Sequence, residues 1–137
     1  MTVAEFLAAS RIAVVGTVGR SGEPHLTPCW YRYSNGEIRI STTRDRAKYS
    51  NLKRDPRITV CVYEEPGAPR YAVLEGRAQM IEDASLWPET RLILGRYVAA
   101  DELDDQLAKL SKQPRVIIAM TPARSYVHQT SWAANPG

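Results

Sequence analysis

Cysteine, histidine and long apolar runs are all scarce in this sequence of 137 residues. The two cysteines, Cys29 and Cys61, lie in alternating apolar runs without Cys-x-x-Cys spacing, which argues against a disulfide framework and a cysteine-based zinc site. No stretch approaches the roughly 20 apolar residues of a membrane span, and the N-terminus lacks the pattern of a signal peptide. We therefore expect a cytoplasmic protein with reduced thiols and no membrane segment.

Internal repeats, low-complexity tracts and linkers are also absent. Hydrophobic residues at 44% and charged residues at 24% are ordinary for a globular protein. The chain length is typical of one domain, so we expect residues 1–137 to form a single unit in which any ligand shares the core.

Positive charge is concentrated between residues 44 and 57. Six basic residues oppose two aspartates there, a local balance of +4 compared with +3 for the whole chain. Charge concentrated in this way favours a site for an anionic group, and a solvated basic helix face is the alternative. The basic residues are Arg44, Arg46, Lys48, Lys53, Arg54 and Arg57.

Three hydroxyl side chains, Ser41, Thr42 and Thr43, come directly before this basic segment. A short helix is predicted over 46–54, with Asp45 as its N-cap. The start of a helix presents unpaired N–H groups and the positive end of its dipole, which suit a phosphate.

Apolar alternation and turn residues predict the remaining elements, and Asn35-Gly36 is the strongest hairpin signal. Few helices among many strands favour a small antiparallel barrel. The predicted strands are 11–18, 25–33 and 38–41, forming a meander, then 58–63, 70–81 with a bend at Gly76, 115–121, and a short strand or arm at 128–132. The predicted helices are 2–10, 46–54, one after Ser85, and one from Asp101 that carries Leu103, Leu107 and Leu110 as a packing face.

Six short motifs occur in a definite order along nearly the whole chain. They are Gly22-Glu23-Pro24-His25, Thr27-Pro28-Cys29-Trp30-Tyr31, Ser41-Thr42-Thr43, Lys48 with Asn51-Leu52, Asp55-Pro56-Arg57, and Leu74-Glu75-Gly76-Arg77-Ala78. In this order they resemble the split β-barrel flavin- and deazaflavin-binding proteins related to pyridoxamine 5′-phosphate oxidase. The resemblance implies a mainly β, antiparallel FMN-binding split barrel with short helices. It also implies a homodimer with two cofactor sites in clefts between the subunits.

The same resemblance assigns a cofactor site to two parts of the chain. The cofactor phosphate is expected at the hydroxyls and charges around the basic helix, which agrees with the anion site inferred from the residues alone. The ring is expected against the backbone and side chains of the second strand. The implied cofactor-binding residues are His25, Thr27, Pro28, Cys29, Trp30, Ser41, Thr42, Thr43, Arg46, Ala47, Lys48 and Asn51.

Two residues of the second strand have alternative roles. Strand alternation allows only one of Trp30 and Tyr31 to face the barrel interior, so the other is free for the cleft or a dimer contact. Cys29 is interpreted as a small strand hydrophobe and not as a nucleophile, because no base lies near it in the motif.

The family divides by cofactor, with FMN in some members, coenzyme F420 in others and haem in a few. Arg44, Arg46 and Lys48 favour F420, whose glutamate tail adds carboxylates to the phosphate. The chain also lacks the C-terminal arginine-rich signature expected of the oxidase branch. FMN is the alternative cofactor.

The resemblance implies an oxidoreductase that transfers a hydride between F420 and a small planar conjugated substrate. The substrate is expected near Tyr63, Tyr71 and Trp132, and no catalytic side chain is assigned because the reactive atom belongs to the cofactor. His128 either makes a structural hydrogen bond or delivers a proton.

Three other functions are weighed against this one. They are an FMN-dependent oxidoreductase of the same fold, a non-catalytic carrier of F420 or flavin, and a nucleic-acid binder. The last is disfavoured because Tyr49 is the one aromatic residue on the basic helix, so we expect no nucleic-acid partner.

Overall fold

The computed structural model describes residues 1–129, in which nine strands and four short helices follow one another. The strands are β1 (Ala13–Val18), β2 (Pro24–Cys29), β3 (Tyr31–Ser34), β4 (Glu37–Thr43), β5 (Arg57–Tyr63), β6 (Arg70–Arg77), β7 (Gln79–Ile81), β8 (Arg115–Met120) and β9 (Arg124–Gln129). The helices are α1 (Val3–Leu7), α2 (Ala47–Arg54), α3 (Leu86–Leu94) and α4 (Leu103–Leu110).

The strands form two sheets in which every pairing is antiparallel. One sheet has five strands in the order β2-β1-β5-β6-β9, and the other has four in the order β3-β4-β8-β7. The inward faces of both sheets supply the main core, with α1 packed against it. The prediction of a mainly β antiparallel fold with short helices is therefore confirmed.

The chain passes from the five-stranded sheet to the four-stranded sheet at Trp30. β2 and β3 are edge strands of different sheets, so the prediction of one continuous strand over 25–33 was wrong. Both antiparallel pairings of the predicted meander are present, β1 with β2 and β3 with β4, but they lie in different sheets, so the three predicted strands do not form one continuous meander. Strand-like residues continue across Trp30, so the side-chain pattern does not reveal that the backbone changes partners.

A second crossing lies at Ala78, where the predicted strand over 70–81 divides into β6 and β7 of different sheets. The bend expected at Gly76 comes two residues later. Gly76 instead allows a close approach between strands, since a Cβ there would lie 3.0 Å from both Met120 Sδ and Thr121 O.

Tyr31 lies at the centre of the core and is completely buried. Its single O–H is shared between the carbonyl oxygens of Ala9 at 2.8 Å and Leu7 at 3.1 Å, and thereby fixes the end of α1. Burial raises the pKa of Tyr31 to about 12, so the hydroxyl remains a donor at neutral pH. Such a partner is needed because an unsatisfied buried hydroxyl destabilises a fold.

The helices are shorter than predicted. α1 covers five residues behind a Thr2 capping box, and α4 begins at Leu103 and not at Asp101. The leucines of α4 are only half-buried, so this helix packs on the fold more loosely than expected. No helix within residues 1–129 is long and apolar enough to cross a membrane.

A buried carboxylate attaches α3 to the β3–β4 hairpin. Glu89 is 3% exposed and accepts hydrogen bonds from Arg32 Nε at 2.6 Å, Arg32 Nη2 at 2.8 Å and Arg39 Nη1 at 2.9 Å. Burial opposes ionisation, but the hydrogen bonds and charges of the two arginines outweigh it and hold the pKa of Glu89 below its usual value. The carboxylate therefore stabilises the fold in its charged form.

We predict that Glu89→Gln lowers the free energy of unfolding by about 2–3 kcal/mol, because it leaves the partly buried Arg32 without a counter-charge and leaves Arg39 with Glu37 alone. Urea denaturation at pH 7 measures this. Asp104→Asn is the matched control, since it breaks the exposed Arg91–Asp104 pair and should cost less than about 1 kcal/mol. Equal losses in the two variants would contradict the role given to Glu89.

The same comparison has a predicted pH dependence. Because folding lowers the pKa of Glu89, its contribution is complete above the value of 4.5 for an unperturbed glutamate. The contribution is lost as the pH falls through the lower pKa of the folded state. The difference between wild type and Glu89→Gln should thus shrink below about pH 4.5.

Candidate functional site

The start of α2 lies directly beyond the end of β4. Arg46 is the N-cap residue, and no side chain caps the helix, so the prediction of Asp45 as N-cap was wrong. The reason is that the Asp45 carboxylate accepts a hydrogen bond from Thr43 Oγ1, which holds it away from the helix and lowers its pKa. Within the described residues, the backbone N–H groups of Ala47 and Lys48 donate to no protein acceptor. Two helix donors are therefore available to a ligand.

One carboxylate next to α2, that of Glu82, binds two of the basic residues. Glu82 accepts hydrogen bonds from Arg44 Nε and Lys53 Nζ, both at 3.1 Å, and from Tyr49 Oη at 2.7 Å. These contacts attach α2 to the segment between β7 and α3. Arg44, which sequence analysis counted toward the cofactor tail, thus has an acidic partner.

Two further basic residues are engaged at the C-terminal end of α2. Arg57 pairs with Asp55 at 2.6 Å, and Arg54 donates to Asn51 Oδ1 at 2.5 Å. Asn51 is buried and also donates from Nδ2 to Thr17 Oγ1 at 3.0 Å, which holds α2 against β1. The Asn51 side chain, predicted to bind the cofactor, therefore lies in a structural hydrogen-bond network.

Arg46, Lys48 and Arg54 are the three basic residues of this segment that form no ion pair within residues 1–129, and of these Arg54 alone makes a side-chain hydrogen bond there, to Asn51. Arg46 is exposed, whereas Lys48 is only 7% exposed. Thr42 and Thr43, which precede the helix, are buried to a similar degree. A lysine with a largely buried side chain and no acidic partner, at a helix start with two free N–H groups, points to an anionic ligand.

Arg115 is a cation adjacent to this site that sequence analysis missed. It begins β8 and pairs in register with Thr43, and its Nη2 donates to Ser41 Oγ at 2.7 Å. Burial, followed by the charge of Arg46, lowers the pKa of Arg115. Its position is set by sheet register across more than 70 residues of sequence, and the apolar run that follows it gave no signal of a binding role.

β2 provides the predicted ring-binding residues on an edge of the five-stranded sheet. The side chains of His25, Thr27 and Cys29 are half-buried, whereas Pro28 is exposed. The outer backbone edge of β2 has no strand partner within the described residues, which leaves it open to a planar heterocycle. His25 pairs with Thr17 and lies four residues along β2 from Cys29. The predicted ring-binding residues are therefore spread along the strand and do not lie together at one point.

Cys29 lies close enough to Lys48 for the ammonium charge to act on its thiol. Burial nevertheless raises the pKa of Cys29, so the thiol stays protonated near neutral pH. This agrees with its interpretation as a small strand hydrophobe.

Trp30 occupies the crossing between the sheets and is 41% exposed, while Tyr31 is buried. This confirms that the two aromatic residues face opposite ways. The Trp30 ring stacks on Tyr97, with centroids 4.7 Å apart and planes 4° from parallel. Tyr97 Oη donates to Arg11 O at 2.6 Å and accepts from Tyr31 N at 3.3 Å, so the stack forms a fixed aromatic wall.

The predicted substrate residues Tyr63 and Tyr71 face each other across β5 and β6. The ring centroid of Tyr71 also lies 5.2 Å from that of His128 on β9. Tyr63 lines a cavity of about 500 Å³ that reaches Tyr97. Trp132 lies outside the described residues. No cluster of metal-ligating side chains occurs within residues 1–129.

These features define a split antiparallel barrel with a candidate anion site at a helix N-terminus and an aromatic wall beside it. The family model described as pyridoxamine 5′-phosphate oxidase matches residues 2–129, so the chain belongs to this family of flavin- and deazaflavin-binding split barrels. The fold and family expected from the sequence motifs are thus confirmed.

Solved structures support the same fold. The conserved hypothetical protein Rv2991 of Mycobacterium tuberculosis is 27% identical, with a TM-score of 0.79 over 93% of this chain and 82% of its own. A protein described as F420 reductase is 20% identical, with a TM-score of 0.68 over 89% and 94%. A putative pyridoxamine 5′-phosphate oxidase of Listeria innocua is 16% identical, with a TM-score of 0.64 over 88% and 90%. At the last two identities the likeness concerns the fold alone.

We predict that Lys48→Met leaves the free energy of unfolding of the ligand-free protein unchanged or raises it by up to about 1 kcal/mol, because it removes an unpaired charge from a largely buried side chain. Lys53→Met is the matched control on the same helix and should lower it slightly, since it breaks the solvent-exposed contact with Glu82.

Added inorganic phosphate extends this test. Thermal unfolding should show stabilisation by phosphate in wild type and Lys53→Met but not in Lys48→Met. Marked destabilisation by Lys48→Met without phosphate would instead show that the lysine is structural.

Proposed function

We propose that this protein is an oxidoreductase that binds coenzyme F420 and transfers a hydride between that cofactor and a small planar conjugated substrate. The observation that carries the proposal is Lys48, a buried cation without an acidic partner beside free helix N–H groups. Family membership supports a flavin or deazaflavin as the ligand. The described fold contains residues suited to both its phosphate and its ring.

The phosphate fits the start of α2. The N–H groups of Ala47 and Lys48, the Lys48 ammonium and the Arg46 guanidinium can all donate to phosphate oxygens. The Asp45 carboxylate accepts a hydrogen bond from Thr43, and its charge also acts on Arg46 at this helix start. The helix would thus fix one end of the cofactor.

The ring would lie along the open edge of β2 toward Trp30. The bound cofactor supplies the hydride chemistry, and the protein binds it, orients it and excludes water. The exposed face of the Trp30–Tyr97 stack suits a flat conjugated molecule. The cavity bounded by Tyr63 and Tyr97 gives a substrate room beside that stack.

The choice of F420 over FMN rests on positive charge in excess of what one phosphate requires. Arg46, Lys48 and the newly placed Arg115 surround the start of α2, although Arg44 is committed to Glu82. The fold relative described as F420 reductase agrees with this choice. FMN is the alternative, because its phosphate would satisfy the helix N-terminus equally well.

We expect Lys48→Ala to weaken F420 binding roughly tenfold to hundredfold, as befits the loss of a charge-assisted contact. Lys53→Ala should change the affinity by less than about threefold, because Lys53 lies five residues further along α2 and is paired with Glu82. Calorimetric titration measures both dissociation constants. Equal weakening would mean that α2 acts as a diffuse basic face.

We also propose that the protein is a homodimer that pairs through the outer face of the five-stranded sheet. A row of mainly apolar residues in mutual register crosses all five strands on that face and is left half-buried or exposed. An apolar face of this extent is typical of an interaction surface. The row consists of Pro28, Val14, Cys61, Val73 and Tyr126.

We predict a dimer at micromolar concentration in sedimentation velocity and a monomer for Val73→Glu, which places a charge in the middle of this row. Leu92→Glu is the control, because Leu92 is 52% exposed on α3, away from the row. The control should remain dimeric. A wild-type monomer at this concentration would overturn the dimer proposal.

A further inference from the structure

We propose that the groove between the Trp30–Tyr97 stack and α4 binds a second anionic group of the ligand, with Arg115 as its cation. The anionic group would be a carboxylate on a chain that continues beyond the phosphate at α2. This inference rests on the proposed function for the identity of the whole ligand. Beyond that function, it assigns Arg115 as a ligand-binding residue and places the anionic chain in the groove next to α4.

Arg115 has donor capacity that the fold does not use. Its Nη1 donates to Gln113 Oε1 at 2.8 Å and its Nη2 to Ser41 Oγ at 2.7 Å, and both acceptors are neutral. Its Nε is buried and has no hydrogen-bond partner. No carboxylate within residues 1–129 forms an ion pair with this guanidinium. A partly buried arginine in this state is suited to an anion supplied from outside.

Arg115 also connects two places in the fold. On one side it lies near Asp45 and Arg46 at the start of α2, where the charges of both act on it. On the other side it lines a groove of about 340 Å³ together with Trp30 and Tyr97. A ligand held by its phosphate at α2 could therefore extend past Arg115 into the groove.

The groove has the composition expected for a flexible chain with charged ends. Its walls include the apolar side chains of Leu94 and Val98 and the half-buried Leu110 of α4. Gln106 adds an amide, and Glu102 is the one acidic residue in the lining. Apolar walls bind the chain, and the guanidinium determines the sign of the group that the groove accepts.

The Arg115 guanidinium would discriminate between ligands that share a phosphate but differ in the charges beyond it. A ligand whose charge ends at the phosphate gains little from Arg115, whereas one with further carboxylates gains a charge-assisted contact. Arg115 would accordingly determine cofactor specificity and leave the basic anion site to Lys48.

The test measures dissociation constants of F420 and FMN for wild type, Arg115→Gln and Lys112→Gln. Arg115→Gln should weaken F420 binding roughly tenfold to hundredfold and FMN binding by less than about threefold. Lys112→Gln removes an exposed positive charge near the same strand and should change neither affinity by more than about twofold. Arg115→Lys keeps the charge without the planar fork, and it should bind F420 with intermediate affinity, which covers the case in which Arg115→Gln folds poorly.

Equal weakening of both cofactors by Arg115→Gln would overturn the inference, because Arg115 would then serve the phosphate. An unchanged F420 affinity would overturn it as well. Neither result affects the role of Lys48 in the proposed function.

A second measurement is independent of the cofactor. Millimolar tri-glutamate should raise the thermal midpoint of wild type and Lys48→Ala more than tri-glycine does, and this difference should vanish in Arg115→Gln. If F420 and FMN both fail to bind wild type, the proposed function falls while this measurement still decides the groove. The same midpoints with both peptides in wild type would refute the groove as a carboxylate site.

Discussion

The Glu82 carboxylate determines which positive charges of α2 are available to a ligand. By binding Arg44, Lys53 and Tyr49 it fixes one side of the helix to the segment before α3. The buried Asn51–Thr17 hydrogen bond fixes the other side to β1. With its rotation set in this way, the helix directs Lys48 into the fold beside Cys29 and presents its free N–H groups at the end of β4. The candidate anion site is a consequence of this placement.

The site has an energetic cost in the free protein. A buried lysine without a counter-charge and a partly buried arginine with an unpaired Nε both destabilise the ligand-free fold. Functional sites commonly retain such unfavourable groups because a ligand offsets the cost when it binds. The buried Glu89 cluster provides the contrast, since there two arginines meet a carboxylate and the charges are satisfied within the fold. The two arrangements distinguish a binding site from a structural ion pair.

Much of this architecture could be predicted from sequence. Asn35-Gly36 marked the β3–β4 hairpin, and the hydroxyls with the basic helix pointed to the candidate anion site, because these signals are local. The sheet changes at Trp30 and Ala78 could not be predicted, since strand-like residues continue through both. The pairing of basic residues with Glu82 could not be predicted either, because Glu82 is 29 residues beyond Lys53 in sequence. Arg115 reaches the site through its register with Thr43, which no local pattern encodes.

Family membership and local geometry are independent lines of support for a phosphorylated ring cofactor. The family match covers residues 2–129 and indicates a flavin or deazaflavin. The unpaired Lys48 and the open start of α2 indicate an anion without reference to any relative. The Trp30–Tyr97 stack adds a flat aromatic surface at the crossing between the sheets. A phosphorylated ring cofactor satisfies all three observations at once.

The most direct test of the central claim compares FMN with riboflavin, which share a ring and differ in the phosphate. Calorimetric titration of wild type with both ligands isolates the contribution of the anion site. The account predicts that FMN binds at least roughly tenfold more tightly than riboflavin, and that raising the salt concentration narrows the difference. Equal affinities for the two ligands would contradict it, because the start of α2 would then contribute nothing to cofactor binding.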